Sequence, residues 1–113
     1  MEPPFAAVCT VADMPPGAVM TVRVGDRFAA LVNHEGWFYA VDADCPHAGG
    51  PLGEGRLGAG CLLECPWHRS VFDVRTGQVR QGPARKPVRT YRVAVEDGRV
   101  FVACTDPQST STR

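Results

Sequence analysis

Long apolar runs are missing from this sequence: none approaches the ~18 residues that a membrane-spanning helix needs. No base precedes Arg23, and the apolar run from Phe5 to Cys9 is short, so no secretory leader is expected. The expected location is the cytoplasm, where thiols stay reduced. Net charge is absent too. Lys+Arg and Asp+Glu both number 12, which disfavours a nucleic-acid partner. Five cysteines make an odd count, arguing against a disulfide framework. Histidine is scarce, at three residues, and no convincing helix exceeds two turns.

Punctuation is abundant instead. The 12 Gly and 10 Pro fall between short apolar runs, which implies many turns. A chain of 113 residues makes one domain, here expected over 1–104, with a polar Ser/Thr-rich tail at 105–113 that frays. Strands are expected at Phe5 to Val11, Ala18 to Val24, Phe28 to Asn33, Trp37 to Val41, Val88 to Val95 and Arg99 to Cys104. Asp97-Gly98 between the last two is a strong hairpin signal. Trp37, Phe38 and Tyr39 read as strand core. Between the β blocks, about 42–87, lies a Gly-rich region with short β pieces at Cys61 to Glu64 and Val71 to Asp73. The expected fold is all-β: an antiparallel sandwich or partly open barrel with an inserted loop-rich subdomain. Charge is segregated along the chain. Residues 1–64 hold 8 acids and 3 bases, and residues 65–113 hold 4 acids and 9 bases.

Two short words inside the insert carry the chemistry: Cys45-Pro46-His47 and Cys65-Pro66-Trp67-His68. Each pairs a thiolate donor with an imidazole donor. Proline after each Cys fixes φ and stiffens the loop. Gly49 and Gly50 allow a tight turn and a close approach to a cofactor. The same four donors suit one tetrahedral zinc, but zinc sites favour Cys-x-x-Cys and His-x-x-x-His over mixed pairs. Mixed pairs suit a 2Fe-2S centre in which two His replace two Cys on one iron. Two ferric ions, two sulfides and two thiolates cancel in charge, whereas four thiolates leave the core anionic. The neutral core accepts an electron more readily, so its potential is higher.

The chain resembles a soluble Rieske-type 2Fe-2S ferredoxin over nearly its whole length. The pattern is Cys-x-His, seventeen residues, then Cys-x-x-His, with Arg69-Ser70, Phe72-Asp73 and Thr76-Gly77 following. The resemblance implies one cluster, with Cys45 and Cys65 on an inner iron and His47 and His68 on an outer, more exposed one. It makes Gly82-Pro83-Ala84 a third loop over the cluster. Rieske proteins of the cytochrome bc type carry a disulfide whose positions here are Gly50 and Trp67, so no such bridge forms. They also carry a Tyr that hydrogen-bonds a ligand sulfur, and Phe72 stands there instead. Ser70 remains as a donor to a bridging sulfide. With fewer hydrogen bonds to sulfur, the implied potential is about −100 mV or lower. Trp67 is expected to pack over the cluster.

The function so implied is a monomeric one-electron carrier, drawing electrons from a flavin-containing NAD(P)H-dependent reductase and passing them to a terminal aromatic-ring oxygenase. A catalytic site of its own is not expected. An oxygenase needs a further iron on two His and a carboxylate, and only His34, read as a surface residue, is left over. The alternative is an accessory subunit resembling the small subunit of nitrite reductase. Arg85 and Lys86, beside the third loop, are candidates for docking an acidic partner, or a solvated loop. Cys9, Cys61 and Cys104 read as small buried hydrophobes.

Overall fold

The computed structural model describes residues 4–104. The expected fraying of 105–113 lies outside the described residues. Eleven strands run in chain order: β1 Phe5–Thr10, β2 Val19–Val24, β3 Arg27–His34, β4 Trp37–Asp42, β5 Arg56–Gly58, β6 Leu62–Glu64, β7 Val71–Asp73, β8 Val79–Gln81, β9 Thr90–Tyr91, β10 Val93–Glu96 and β11 Arg99–Ala103. They form three antiparallel sheets, ordered β1-β11-β10, β2-β3-β4-β9 and β5-β6-β7-β8. Among the described residues the only helical pieces are single 3-10 turns at Val11–Asp13, Leu52–Glu54 and Ala59–Cys61. The expected all-β antiparallel framework is what forms.

Turn chemistry sets the hairpins. Asp97 and Gly98 both have positive φ (52° and 76°), as the tight turn between two twisted strands requires. At the β3–β4 turn, the buried Asn33 accepts from the Gly36 N–H at 2.7 Å and donates to the Met14 carbonyl at 2.7 Å. That side chain satisfies backbone groups that would otherwise be left unpaired.

β3 explains the layering. Its centre, Ala29-Ala30-Leu31-Val32, does not alternate, and all four residues are buried. A strand covered on both faces reads as a continuous apolar run. Ala29 and Leu31 pack with Met14, Val22, Val100 and Val102. Ala30 and Val32 pack the other way, with Leu52, Leu63, Phe72 and Val74 of the inserted region. One strand therefore serves two cores, and the inserted sheet sits against its second face. Leu52 is fully buried there, and Gly53 beside it lies so close to Thr21 of β2 that no Cβ would fit. Across the sheet, Tyr91 donates its hydroxyl to Asp42 at 2.6 Å. Burial, helped by that bond, pushes the Tyr91 hydroxyl up to about 12.

Three sequence expectations need correction. The run Val88 to Val95 is two strands: Thr90–Tyr91 pairs with β4, and Val93–Glu96 pairs with β11. The chain changes sheets at Arg92, whose carbonyl still accepts from the Ala103 N–H. Trp37 is not core. It starts β4 with 70% of its surface exposed, while Phe38 and Tyr39 pack on opposite cores. His34 is not a free surface residue, because it closes β3 with a side chain only 19% exposed.

Candidate metal centre

Both Cys/His words lie on loops that the sheets hold at their ends. The first follows β4 and is closed by a bridge between Asp44 and Pro51. The second joins β6 to β7. Their backbones repeat the same hydrogen bonds. In the first loop the Cys45 N–H donates to the Gly50 carbonyl at 2.8 Å, and the Gly49 N–H to the Cys45 carbonyl at 2.7 Å. In the second, the Cys65 N–H donates to the Ser70 carbonyl at 2.8 Å, and the Arg69 N–H to the Cys65 carbonyl at 3.1 Å. The fifth residue of each loop, Gly49 or Arg69, has positive φ (75° and 65°). Burial repeats as well: the first and last residues are buried and the four between them exposed.

That repeat sorts the four donors into two pairs. The thiols of Cys45 and Cys65 point inward, into the core that also holds Phe72 and Leu63. The imidazoles of His47 and His68 lie outside, edge to face, with ring centroids 5.0 Å apart and planes at 88°. Burial pushes the Cys45 thiol up. The backbone N–H groups of His47 and Ala48 pull it down, and the neighbouring Cys65 sulfur pushes it up. A metal bound here would be held through thiolates, with the thiol protons released. Among the described residues no group of three or more His, Cys, Asp or Glu side chains gathers closely enough to hold one metal ion. A tetrahedral zinc would draw all four donors to one point. An inner pair of sulfurs and an outer pair of nitrogens instead suits a group with two metal atoms.

The residues around the donors are placed as follows. A Cβ on Gly50 would stand 2.6 Å from Cys65 Sγ and 3.1 Å from Trp67 Cγ. Gly50 thus lets the two loops close on each other, and the Gly50 and Trp67 positions are in contact. Trp67 leans on that glycine, with 57% of its surface exposed. Ser70 is fully buried, and its Oγ accepts from the Ala84 N–H at 2.9 Å. That bond ties Gly82-Pro83-Ala84 to the second loop. The Ser70 proton has no acceptor among the described residues. Phe72 is fully buried in the core beside both cysteines and brings no polar atom. Pro83 is exposed and follows a cis peptide bond, and Arg85 and Lys86 are exposed beyond the buried Ala84.

Behind the second loop, Asp73 is buried, and its carboxylate accepts from the Arg75 backbone N–H (2.9 Å), Nε (3.1 Å) and Nη2 (2.9 Å). Those bonds hold its carboxyl below the usual range. They also fix the turn to Gly77, where a Cβ would collide with the Val88 carbonyl. Cys61 is buried as expected, whereas Cys9 and Cys104 are only half-buried.

Sequence reading alone misses the left-handed backbone at Arg69. The twin loop marks that position with a glycine and this loop does not. The only signal available was the alignment of the two words from their cysteines, with Gly49 falling opposite Arg69.

The Rieske [2Fe-2S] domain family matches residues 5–92 of this chain. The 3-phenylpropionate/cinnamic acid dioxygenase ferredoxin subunit of Photorhabdus laumondii subsp. laumondii is 37% identical over 101 residues, covering 89% of this chain and 95% of that protein. The ferredoxin of carbazole 1,9a-dioxygenase from Nocardioides aromaticivorans IC177 superposes with a TM-score of 0.86 at 32% identity, covering 89% of this chain and 98% of that one. A chain in the complex of reduced oxygenase and oxidised ferredoxin of carbazole 1,9a-dioxygenase superposes with a TM-score of 0.84 at 35% identity, covering 90% and 94%.

Proposed function

The chain belongs to the Rieske [2Fe-2S] domain family, and on that premise we propose that it is the ferredoxin of a ring-hydroxylating oxygenase system, carrying one electron at a time. Cys45 and Cys65 would hold one iron from within the core, and His47 and His68 would hold the other at the surface. When bound, the cluster takes up and releases a single electron. The chain's own residues do the rest. The buried sulfurs and Phe72 keep water from the inner side. Ser70 offers its proton towards a sulfide, held in place by the Ala84 N–H. The exposed imidazoles form the edge where an electron enters and leaves. The observation that carries this reading is the paired loop geometry, with thiols inside and imidazole rings 5.0 Å apart outside.

The donor is a flavin-dependent NAD(P)H reductase and the acceptor a terminal oxygenase, each docking transiently in the cytoplasm. The likeness to ferredoxin subunits supports the carrier role over catalysis by this chain. Purified protein should be red-brown, with two irons and two sulfides. It should pass electrons from such a reductase to such an oxygenase. A colourless protein with one zinc contradicts the reading.

A further inference from the structure

The two site loops build one backbone from different residues. Gly49 takes the left-handed conformation without steric penalty, whereas Arg69 takes it with a Cβ and a long side chain. Three other non-glycine residues share a positive φ. Glu35 and Asp97 each precede a glycine in a hairpin turn, and Cys61 is buried in the core. Arg69 differs from Glu35 and Asp97 in preceding a serine rather than a turn glycine, and from Cys61 in having an exposed side chain that adds nothing to a core. The twin loop shows that glycine serves the same backbone role, donating its N–H to the loop's cysteine carbonyl. Strain kept where a glycine would relieve it points to a use for the side chain.

The charge of Arg69 is available for such a use. Arg75 and Arg80, further along, are both engaged by Asp73, at 2.9 and 3.7 Å. Among the described residues no carboxylate lies within 4.0 Å of the Arg69 guanidinium. It borders a cleft of about 330 Å³ shared with Cys65, Pro66, Glu54 and Glu64, and closes an ion pair with neither acid. In the chain it directly follows His68, and both residues are exposed.

We propose that Arg69 steers an anionic redox partner onto the His68 edge, its guanidinium meeting carboxylates on the partner's surface. The proposal rests on the electron-carrier reading above. The step it serves is the loss of one electron from the reduced protein to the partner, with no bond or proton transferred.

Small oxidants of opposite charge test this without the natural partner. Reduced, cluster-loaded protein is mixed at low salt with ferricyanide, an anion, or with tris(phenanthroline)cobalt(III), a cation. In Arg69→Gly the ferricyanide rate should fall about threefold, while the cobalt rate should not fall. The gap should close at high salt. The same variant should melt a few degrees higher, because the strain is gone. Arg69→Lys should keep the wild-type ferricyanide rate, and Arg69→Ala should lose rate without gaining stability. An unchanged ferricyanide rate in Arg69→Gly, or an equal slowing with both oxidants, overturns the steering role. A wild-type protein that cannot cycle by one electron overturns the carrier reading itself, and this inference with it.

Discussion

The loops Cys45–Gly50 and Cys65–Ser70 share their backbone hydrogen bonds, their burial pattern and a left-handed fifth residue. They differ in what that common frame presents. Histidine stands third in one and fourth in the other, the fifth residue is Gly49 or Arg69, and the last is Gly50 or Ser70. The shared part is backbone, and it fixes where the sulfurs and rings go. The differing part is side chain, and it decides function. Gly50 supplies space, Ser70 a hydroxyl and Arg69 a charge. A site built twice from one template thus becomes asymmetric by substitution at four of its six positions.

The comparison breaks most completely at the donors. His47→Ala and His68→Ala should each abolish the native visible and EPR spectrum, since on the proposed ligation the outer iron would lose one of its two nitrogen ligands. A His68→Ala protein with full iron content and an unchanged EPR signal would remove that residue from the ligand set.

At the last residue of each loop the effects should diverge. Gly50→Ala places a methyl 2.6 Å from Cys65 Sγ and 3.1 Å from Trp67 Cγ. It should cost about 2 kcal/mol of stability, as overpacking does, and lower the cluster content. Urea unfolding of loaded protein reads the first effect and iron analysis the second. Ser70→Ala should pack without a clash but strand the Ala84 N–H, at a cost of about 1 kcal/mol. It should also lower the reduction potential by about 40 mV, a hydrogen bond of ~1 kcal/mol lost to a one-electron couple. Voltammetry showing an unchanged potential would mean Ser70 does not donate to the cluster. Wild-type protein, with Phe72 where a hydroxyl is lacking, should sit at about −100 mV or lower.

An effect on stability alone lies behind the second loop, at the Asp73–Arg75 turn. Asp73 is held below its ordinary range chiefly by the Arg75 hydrogen bonds. Its folded value lies below the unfolded one, so its contribution is complete above about pH 4 and is lost as pH falls through the folded value. Asp73→Asn should therefore destabilise by about 1–2 kcal/mol at pH 7. The gap to wild type should narrow in acid. A gap that stays constant down to pH 2.5 would contradict this account of the turn.

Much of this was legible in the residues. Asp97-Gly98 announced its hairpin, and the alternating or continuous apolar runs located the long strands within a residue or two. The four donors stood in recognisable words. What escaped has a common physical origin. Arg56–Gly58 and Val79–Gln81 are three residues long and pair with strands equally short, so too few positions exist for an alternating pattern to mark them. The switch of sheets at Arg92 is set by which neighbours β4 and β11 offer, and those are tertiary. Trp37 looks like core by composition, yet it begins its strand on an open face. The left-handed Arg69 is held by hydrogen bonds between backbone groups four and five residues apart. Backbone groups are the same in every residue and leave no mark in the sequence.

The central claim is two unlike irons, one held by Cys45 and Cys65 and the other by His47 and His68. Mössbauer spectroscopy of protein loaded with ⁵⁷Fe tests it most directly. The account predicts two doublets of equal area in the oxidised protein, with one iron in a sulfur-only environment and the other shifted by nitrogen ligands. A single doublet from two equivalent irons would contradict it.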